Sequence, residues 1–216
     1  MKLLALEAGG PVLSAALCVD GVERAAAFRV APRRQTEDLA PLVAELLRGA
    51  GLTPAALDAV ACGVGPGSFT GLRSSLAFGR GLSLGRPGLR LLGVATLEAW
   101  AEAYASTAKE VWVLLDGRRG QVYRGAYRRS PEGFWDAIVE PALLPEQEAR
   151  AAAGPVIVGD LPDHAPAPGP QLAQAVARLA LAALAAGRPA AAWEPRYLRR
   201  SEAEILWERL HPKEPA

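Results

Sequence analysis

An apolar run from Leu57 to Val64 ends at Gly65-Pro66-Gly67-Ser68-Phe69-Thr70-Gly71-Leu72-Arg73, and a proline-free segment with helical spacing follows to Leu84. The run reads as a buried strand. The chain must therefore turn from strand to helix through glycine, which enters left-handed or closely approached backbone freely. Ser68 or Thr70 can cap the helix by accepting its free N–H groups. Such a turn also attracts anions, because backbone N–H groups and the helix dipole converge there. Gly65, Gly67, Ser68, Thr70 and Gly71 thus form a candidate phosphate loop, set against the plainer reading of a tight, capped turn. No lysine follows the last glycine and the P-loop spacing is absent, which excludes that motif.

The helix after the turn carries Gly71, Ser75, Gly79 and Ser83 at four-residue spacing, with Leu72 and Leu76 alongside. These small residues make a ridge that another backbone can approach closely. Glycine at 79 and at 81 each costs roughly 1 kcal/mol of helix propensity against alanine. Either close packing within the fold or a contact with a partner helix must compensate. An earlier helix is expected from Thr36 to Arg48, with Leu39, Leu42, Val43, Leu46 and Leu47 on one face. Asp38 as its N-cap would place Pro41 in the first turn.

Around these helices the chain reads as two similar halves. Leu3–Leu6, Val12–Val19 and Val22–Val30 form a meander, with Asp20-Gly21 as a hairpin turn. Pro32 to Gln35 is a turn, Thr53-Pro54 opens a short helical piece, Leu89–Val94 is a strand, and Thr96 caps a helix to about Tyr104. Val111–Leu115, ending at Asp116-Gly117, then Gln121–Tyr127 and Phe134–Val139 repeat the three-strand opening without sequence similarity. Glu146–Ala152 is a short helix, Val156–Asp160 a buried strand, and Gln171–Ala186 an alanine-rich helix. Pro195–Arg199 is extended, and Ser201 caps a last helix, Glu202–Leu210.

The chemistry offered by single residues is sparse. His164 and His211 are the only histidines and lie far apart, which argues against a histidine metal site. Cys18 and Cys62 have no metal or disulfide spacing and read as buried thiols. Glu7 ends the first strand, where a carboxylate could hold a magnesium–water cluster, but no second acid stands beside it. Asp116 could meet a phosphate-bound cation or merely cap its turn. Arg118, Arg119, Arg196, Arg199 and Arg200 could gather into a basic patch. With 24 basic and 23 acidic residues, the net charge of +1 gives no overall pull toward nucleic acid or membrane. No apolar run is long enough to span a bilayer, and the opening residues are too short a run for a signal peptide. The chain is expected to be cytoplasmic.

Two successive halves of this kind suggest an α/β actin-like, ribonuclease H-like (ASKHA) fold. Each subdomain would hold a mixed sheet flanked by helices: residues 1–104, then 105–200, with a C-terminal helix and tail over 201–216. The stretch Gly65 to Arg73 resembles the signature of the bacterial TsaB (YeaZ) family of tRNA threonylcarbamoyladenosine biosynthesis proteins. Gly93-Val94-Ala95-Thr96-Leu97-Glu98 resembles that family's segment after the central helix. Asp116-Gly117-Arg118-Arg119-Gly120-Gln121-Val122-Tyr123 is similar to its Asp-Ala-Arg-x-Gly-Glu-Val-Tyr hairpin, and Pro195-Arg196-Tyr197-Leu198-Arg199 to its Pro-x-Tyr-Leu-Arg. Glu7-Ala8 stands where the family commonly has Asp-Thr, and Arg34-Gln35-Thr36 where many members have a histidine. Both departures lead away from nucleotide or metal chemistry.

The resemblance implies a non-catalytic scaffold. Such proteins resemble the catalytic subunit TsaD, whose metal-binding His-x-x-x-His is missing here. With TsaD and the ATPase TsaE they serve the transfer of threonylcarbamoyl to the adenosine beside the tRNA anticodon. It implies no catalytic residue, no metal and no intrinsic cofactor. ATP or ADP would sit only at the complex interface, tRNA would be met through the complex, and no membrane is involved. Partner or homodimer contacts would use Leu39, Leu42, Val43, Leu46, Gly71, Leu72, Ser75, Leu76, Gly79, Leu82 and Ser83. Gly79→Leu is accordingly expected to weaken assembly and leave the fold intact. The competing reading is an actin-like ATP-binding enzyme that uses the Gly65–Gly71 loop for phosphate.

Overall fold

Strands β1 (Lys2–Glu7), β2 (Val12–Val19) and β3 (Val22–Val30) form the expected meander. Asp20 and Gly21 take φ of 51° and 78°, the positive values a two-residue hairpin needs to match strand twist. The computed structural model describes residues 1–30, 34–199, 207, 210 and 211. The turn expected from Pro32 therefore lies partly outside the described residues. So do Arg200, Ser201 and most of the last helix.

Helix α1 runs Gln35–Gly49 and starts before Asp38 rather than after it, so Pro41 lies inside the helix. Arg34 is its N-cap without a side-chain cap. What holds this start is tertiary and electrostatic: buried Gln35 donates to the Gly10 carbonyl at 3.1 Å, and Glu37 and Asp38 sit in the positively polarised first turn. A 3₁₀ turn at Pro54–Ala56 leads to β4 (Ala59–Gly63). Helix α2 (Phe69–Gly85), β5 (Arg90–Val94) and α3 (Thr96–Tyr104) complete this half. The first sheet has the order β3-β2-β1-β4-β5, with β4 parallel to both β1 and β5.

The second half repeats the winding. Strands β6 (Glu110–Arg118), β7 (Gln121–Arg129) and β8 (Trp135–Pro145) are antiparallel neighbours. After α4 (Glu146–Ala151), β9 (Ile157–Gly159) adds parallel to β6, giving the order β8-β7-β6-β9. The β6–β7 turn falls at Arg118-Arg119-Gly120, all with positive φ, and not at Asp116-Gly117. Helix α5 (Gln171–Ala185) follows. Pro195 to Arg199 forms no strand; it crosses the glycine turn, where the Arg196 N–H donates to the Val64 carbonyl at 2.7 Å.

Period-two alternation decides which helix covers which face. Leu4 and Leu6 of β1 face Leu39, Leu42, Val43, Leu46 and Leu47 of α1 and Leu76 of α2. Leu3 and Ala5 face Val176 and Ala180 of α5. Although it comes from the second half, α5 thus packs on the first sheet, while α3 from the first half packs on the second. Leu97, Trp100 and Ala101 of α3 bury with Val111, Val113 and Tyr127. The two crossed helices contact each other and lock the halves together. Glu102 of α3 sits at that junction, accepting from Arg178 of α5 and from Arg129 and Trp135 of the second sheet. Each fully buried leucine contributes about 1.5–3 kcal/mol to this core. Among the described residues no helix is long and apolar enough to cross a membrane.

Candidate functional site

Glu7 at the end of β1 is fully buried. One carboxylate oxygen accepts from the Gly9 N–H at 2.6 Å and the other from the Thr96 hydroxyl at 3.3 Å. The Thr96 oxygen in turn accepts from the Gly65 N–H at 3.0 Å. Thr96 was expected to cap α3. Ala95 holds the cap position instead, because the hydroxyl links Glu7 to the glycine turn. Burial drives the Glu7 carboxyl above its ordinary range, and hydrogen bonds from Gly9, Thr96 and Ala8 offset only part of that rise. A Cβ on Gly63 would overlap this carboxylate. Glu7 is a pin that holds three loop starts together.

The glycine turn closes on the chain itself. Gly65 has φ of 109°, and a Cβ there would come 2.8 Å from the Arg196 carbonyl oxygen. A Cβ on Gly67 would come 2.7 Å from the Gly9 carbonyl oxygen, and one on Gly71 would overlap the carbonyl of Ala8. Absence of side chains lets the β1–β2 turn lie directly on the α2 start. The Ser68 N–H donates to the Gly9 carbonyl at 2.7 Å, and Ser68 Oγ caps α2 by accepting from the Gly71 N–H at 3.3 Å. The N–H groups of Gly65, Ser68 and Gly71 are thus bound to the chain's own oxygens.

Beside this turn a cleft of about 360 Å³ is lined by Ser68, Thr70, Asp116, Arg118, Tyr123 and Arg199. An adjoining hollow of about 270 Å³ reaches Gly10 and Asp160. Both carboxylates brace the β6–β7 hairpin: Asp116 accepts from the Arg118 N–H at 2.7 Å, and Asp160 from the Asp116 N–H at 2.6 Å. Burial raises the Asp160 carboxyl despite that bond. Arg199 donates to the Gly117 carbonyl at 2.8 Å. Of the arginines considered as a patch, Arg118 and Arg199 share this cleft, while Arg196 lines a different cavity. Among the described residues no three His, Cys, Asp or Glu side chains are grouped to hold a metal ion.

One feature of the cleft mouth escapes a linear search for aromatic residues. Phe69 at the α2 start stacks on Tyr197 with centroids 4.2 Å apart, and Arg73 donates to the Tyr197 hydroxyl at 2.7 Å. Arg73 and Tyr197 are 124 residues apart, so spacing carries no sign of the cluster. The only signal is that both lie in segments resembling family signatures.

The expected partner-binding residues occupy two different environments. Leu39, Leu42, Val43 and Leu46 of α1 are buried against the first sheet. Gly71, Leu72, Ser75, Leu76 and Gly79 form the inner side of α2, and Leu82 and Ser83 are partly exposed. The Gly79 position contradicts the expectation for its leucine variant: a Cβ there would overlap the Trp193 ring, whose Nε1 donates to the Leu76 carbonyl at 3.1 Å. At Gly79 the ridge is therefore filled by this chain's own indole, as at Gly71 it is by the Ala8 carbonyl. Outside it, α1 and α2 leave an apolar groove of about 440 Å³ lined by Ala40, Val43, Ala44, Leu52, Phe78 and Leu82.

Two sheets with one winding order, each flanked by helices and facing each other across a cleft, define the α/β actin-like, ribonuclease H-like (ASKHA) class. A family profile described as "TsaD: tRNA N6-adenosine threonylcarbamoyltransferase" matches residues 29–158. The Escherichia coli K12 tRNA threonylcarbamoyladenosine biosynthesis protein TsaB is 33% identical over 166 residues, 74% of this chain and 71% of that protein. A solved Pseudomonas aeruginosa structure, described as an uncharacterized protein with similarity to peptidase YEAZ, has TM-score 0.74 at 31% identity. It covers 92% of this chain and 99% of its own. YeaZ from the same species has TM-score 0.72 at 28% identity, covering 91% and 99%. The chain belongs to the TsaB (YeaZ) family.

Proposed function

We propose that this protein acts in tRNA threonylcarbamoyladenosine biosynthesis as a non-catalytic scaffold. It docks on a TsaD-like catalytic subunit through the outer face of α1 and α2, joins a TsaE-like ATPase, and meets tRNA through that complex in the cytoplasm. It performs no nucleotide chemistry alone; ATP or ADP is held only where subunits meet. The observation that carries the reading is the apolar α1–α2 groove, in a family whose E. coli member bears the pathway's name. A solvent-facing apolar hollow of this kind is what a partner helix fills. The use of Glu7, Asp116 and Asp160 as acceptors for the chain's own backbone N–H groups supports the absence of catalysis.

Co-expression with a TsaD-like subunit tests this. The two chains should co-elute, and Ala44→Arg, at an exposed groove position, should abolish co-elution with an unchanged circular dichroism spectrum. Transfer of threonylcarbamoyl to tRNA should need the partners and be absent with this chain alone. An intact complex in Ala44→Arg overturns the docking face. Micromolar ATP binding or turnover by the isolated chain overturns the scaffold assignment.

A further inference from the structure

Two glutamates on α3, one turn apart, have opposite surroundings. Glu102 accepts from Arg129, Arg178 and Trp135. Glu98 has no hydrogen bond and no ion pair within 4 Å among the described residues. It is nonetheless mostly out of water, and that burial drives its carboxyl up to about 7, against the pull of Arg196 and Arg188 and with a push from Asp136. Partial withdrawal of an acid from solvent without a hydrogen-bonded partner is unfavourable, and a cationic group in contact with it would offset that cost.

The side chain lines a cavity of about 230 Å³ between α3, the start of β8, the end of α5 and residues 188–196. This cavity shares no lining residue with the inter-sheet cleft. Arg188 and Arg196 line it as well. The Arg188 guanidinium lies 4.1 Å over the Phe134 ring and 3.7 Å from Asp136. Val94, Leu179 and Ala183 supply an apolar wall. Acid and guanidinium groups therefore line one small hollow without closing on each other. A ligand with both charges would satisfy both ends, and the volume lies below the roughly 300–1,000 Å³ of drug-sized sites.

We propose that this cavity binds a small zwitterion, an α-amino acid, with its ammonium on Glu98 and its carboxylate between Arg188 and Arg196. The ammonium donates to an otherwise unbonded carboxylate, and the guanidinium pair supplies charge-assisted hydrogen bonds to the carboxylate. The short apolar wall favours a small side chain.

Calorimetric titration of the full chain with L-alanine tests this, with methylamine and acetate as probes carrying one charge each. L-Alanine should bind saturably, and each one-charge probe at least about tenfold more weakly. Glu98→Gln and Arg196→Gln should each weaken L-alanine binding by about tenfold or more, with folding checked by circular dichroism. Failure of L-alanine to saturate up to roughly 50 mM, about −2 kcal/mol on the affinity scale, overturns the proposal. So does binding unchanged in Glu98→Gln, or acetate binding as tightly as L-alanine, which would make the cavity a simple anion site.

Discussion

Replacing Glu102 by alanine removes the acceptor that joins α3 to α5 and to the second sheet. Glu102 is 7% exposed and accepts from Arg129 at 2.9 Å, Arg178 at 3.0 Å and Trp135 Nε1 at 3.1 Å. Breaking a buried charge pair by deleting one partner costs about 3–5 kcal/mol. Here the arginine side chains are 30% and 50% exposed, so water recovers part of the loss. The stranded indole N–H, in a tryptophan only 5% exposed, adds to it. The expected net loss is about 2–3 kcal/mol. In urea, with a slope of about 1–3 kcal/mol per molar, the midpoint should fall by roughly 1–2 M with the slope retained. The pH dependence is a second check. Burial alone would raise the Glu102 carboxyl, but the bonds from Arg178, Trp135 and Arg129 outweigh it and hold the group below its ordinary value. A folded pKa below the unfolded one means stability is present above about 4.5 and lost as pH falls through the folded value. Wild type and Glu102→Ala should therefore converge in acid. A midpoint unchanged at neutral pH would refute the assignment of Glu102 as the clamp between the halves.

Three further outcomes follow from named contacts. Gly79→Leu should lower thermal stability sharply, because the new side chain must displace Trp193; a folded variant with an unchanged midpoint would refute the packing of that indole. Gly81→Ala should stabilise by roughly 0.5–1 kcal/mol in denaturant, since a Cβ there meets nothing within 4 Å and the residue lies inside α2. Glu98 is raised to about 7 by burial, with Arg196, Arg188 and Asp136 as the charges acting on it and the Tyr127 hydroxyl nearby. Its folded pKa exceeds its unfolded one, so its contribution is present in acid and lost as pH rises through about 7. Glu98→Gln should remove that decline and be the more stable form above neutrality, by at most about 3 kcal/mol.

The short apolar run Leu3 to Leu6, the next two runs and the Asp20-Gly21 turn signal were enough to place β1, β2 and β3, because run length and turn residues are local features of the chain. The leucine spacing of α1 named its buried face for the same reason. The cap of α2 was legible to within two residues, Ser68 or Thr70, because capping is local, and the structure gives it to Ser68. Other roles depended on distant partners. Thr96 has an N-cap's residue type, yet its hydroxyl serves Glu7, 89 residues earlier, through a contact no local rule encodes. The ridge of Gly71, Ser75 and Gly79 announced close packing, but only the fold supplied the occupants, the Ala8 carbonyl at Gly71 and Trp193 at Gly79. Glu98 and Glu102 lie on the same short helix and read alike in sequence. One meets two guanidinium groups and an indole, and the other an open cavity. Local periodicity determined the elements and their buried faces, because backbone preference and side-chain alternation act within a few residues. Chain crossing, which brought α5 to the first sheet and α3 to the second, decided which charges found partners and which cavity was left to fill.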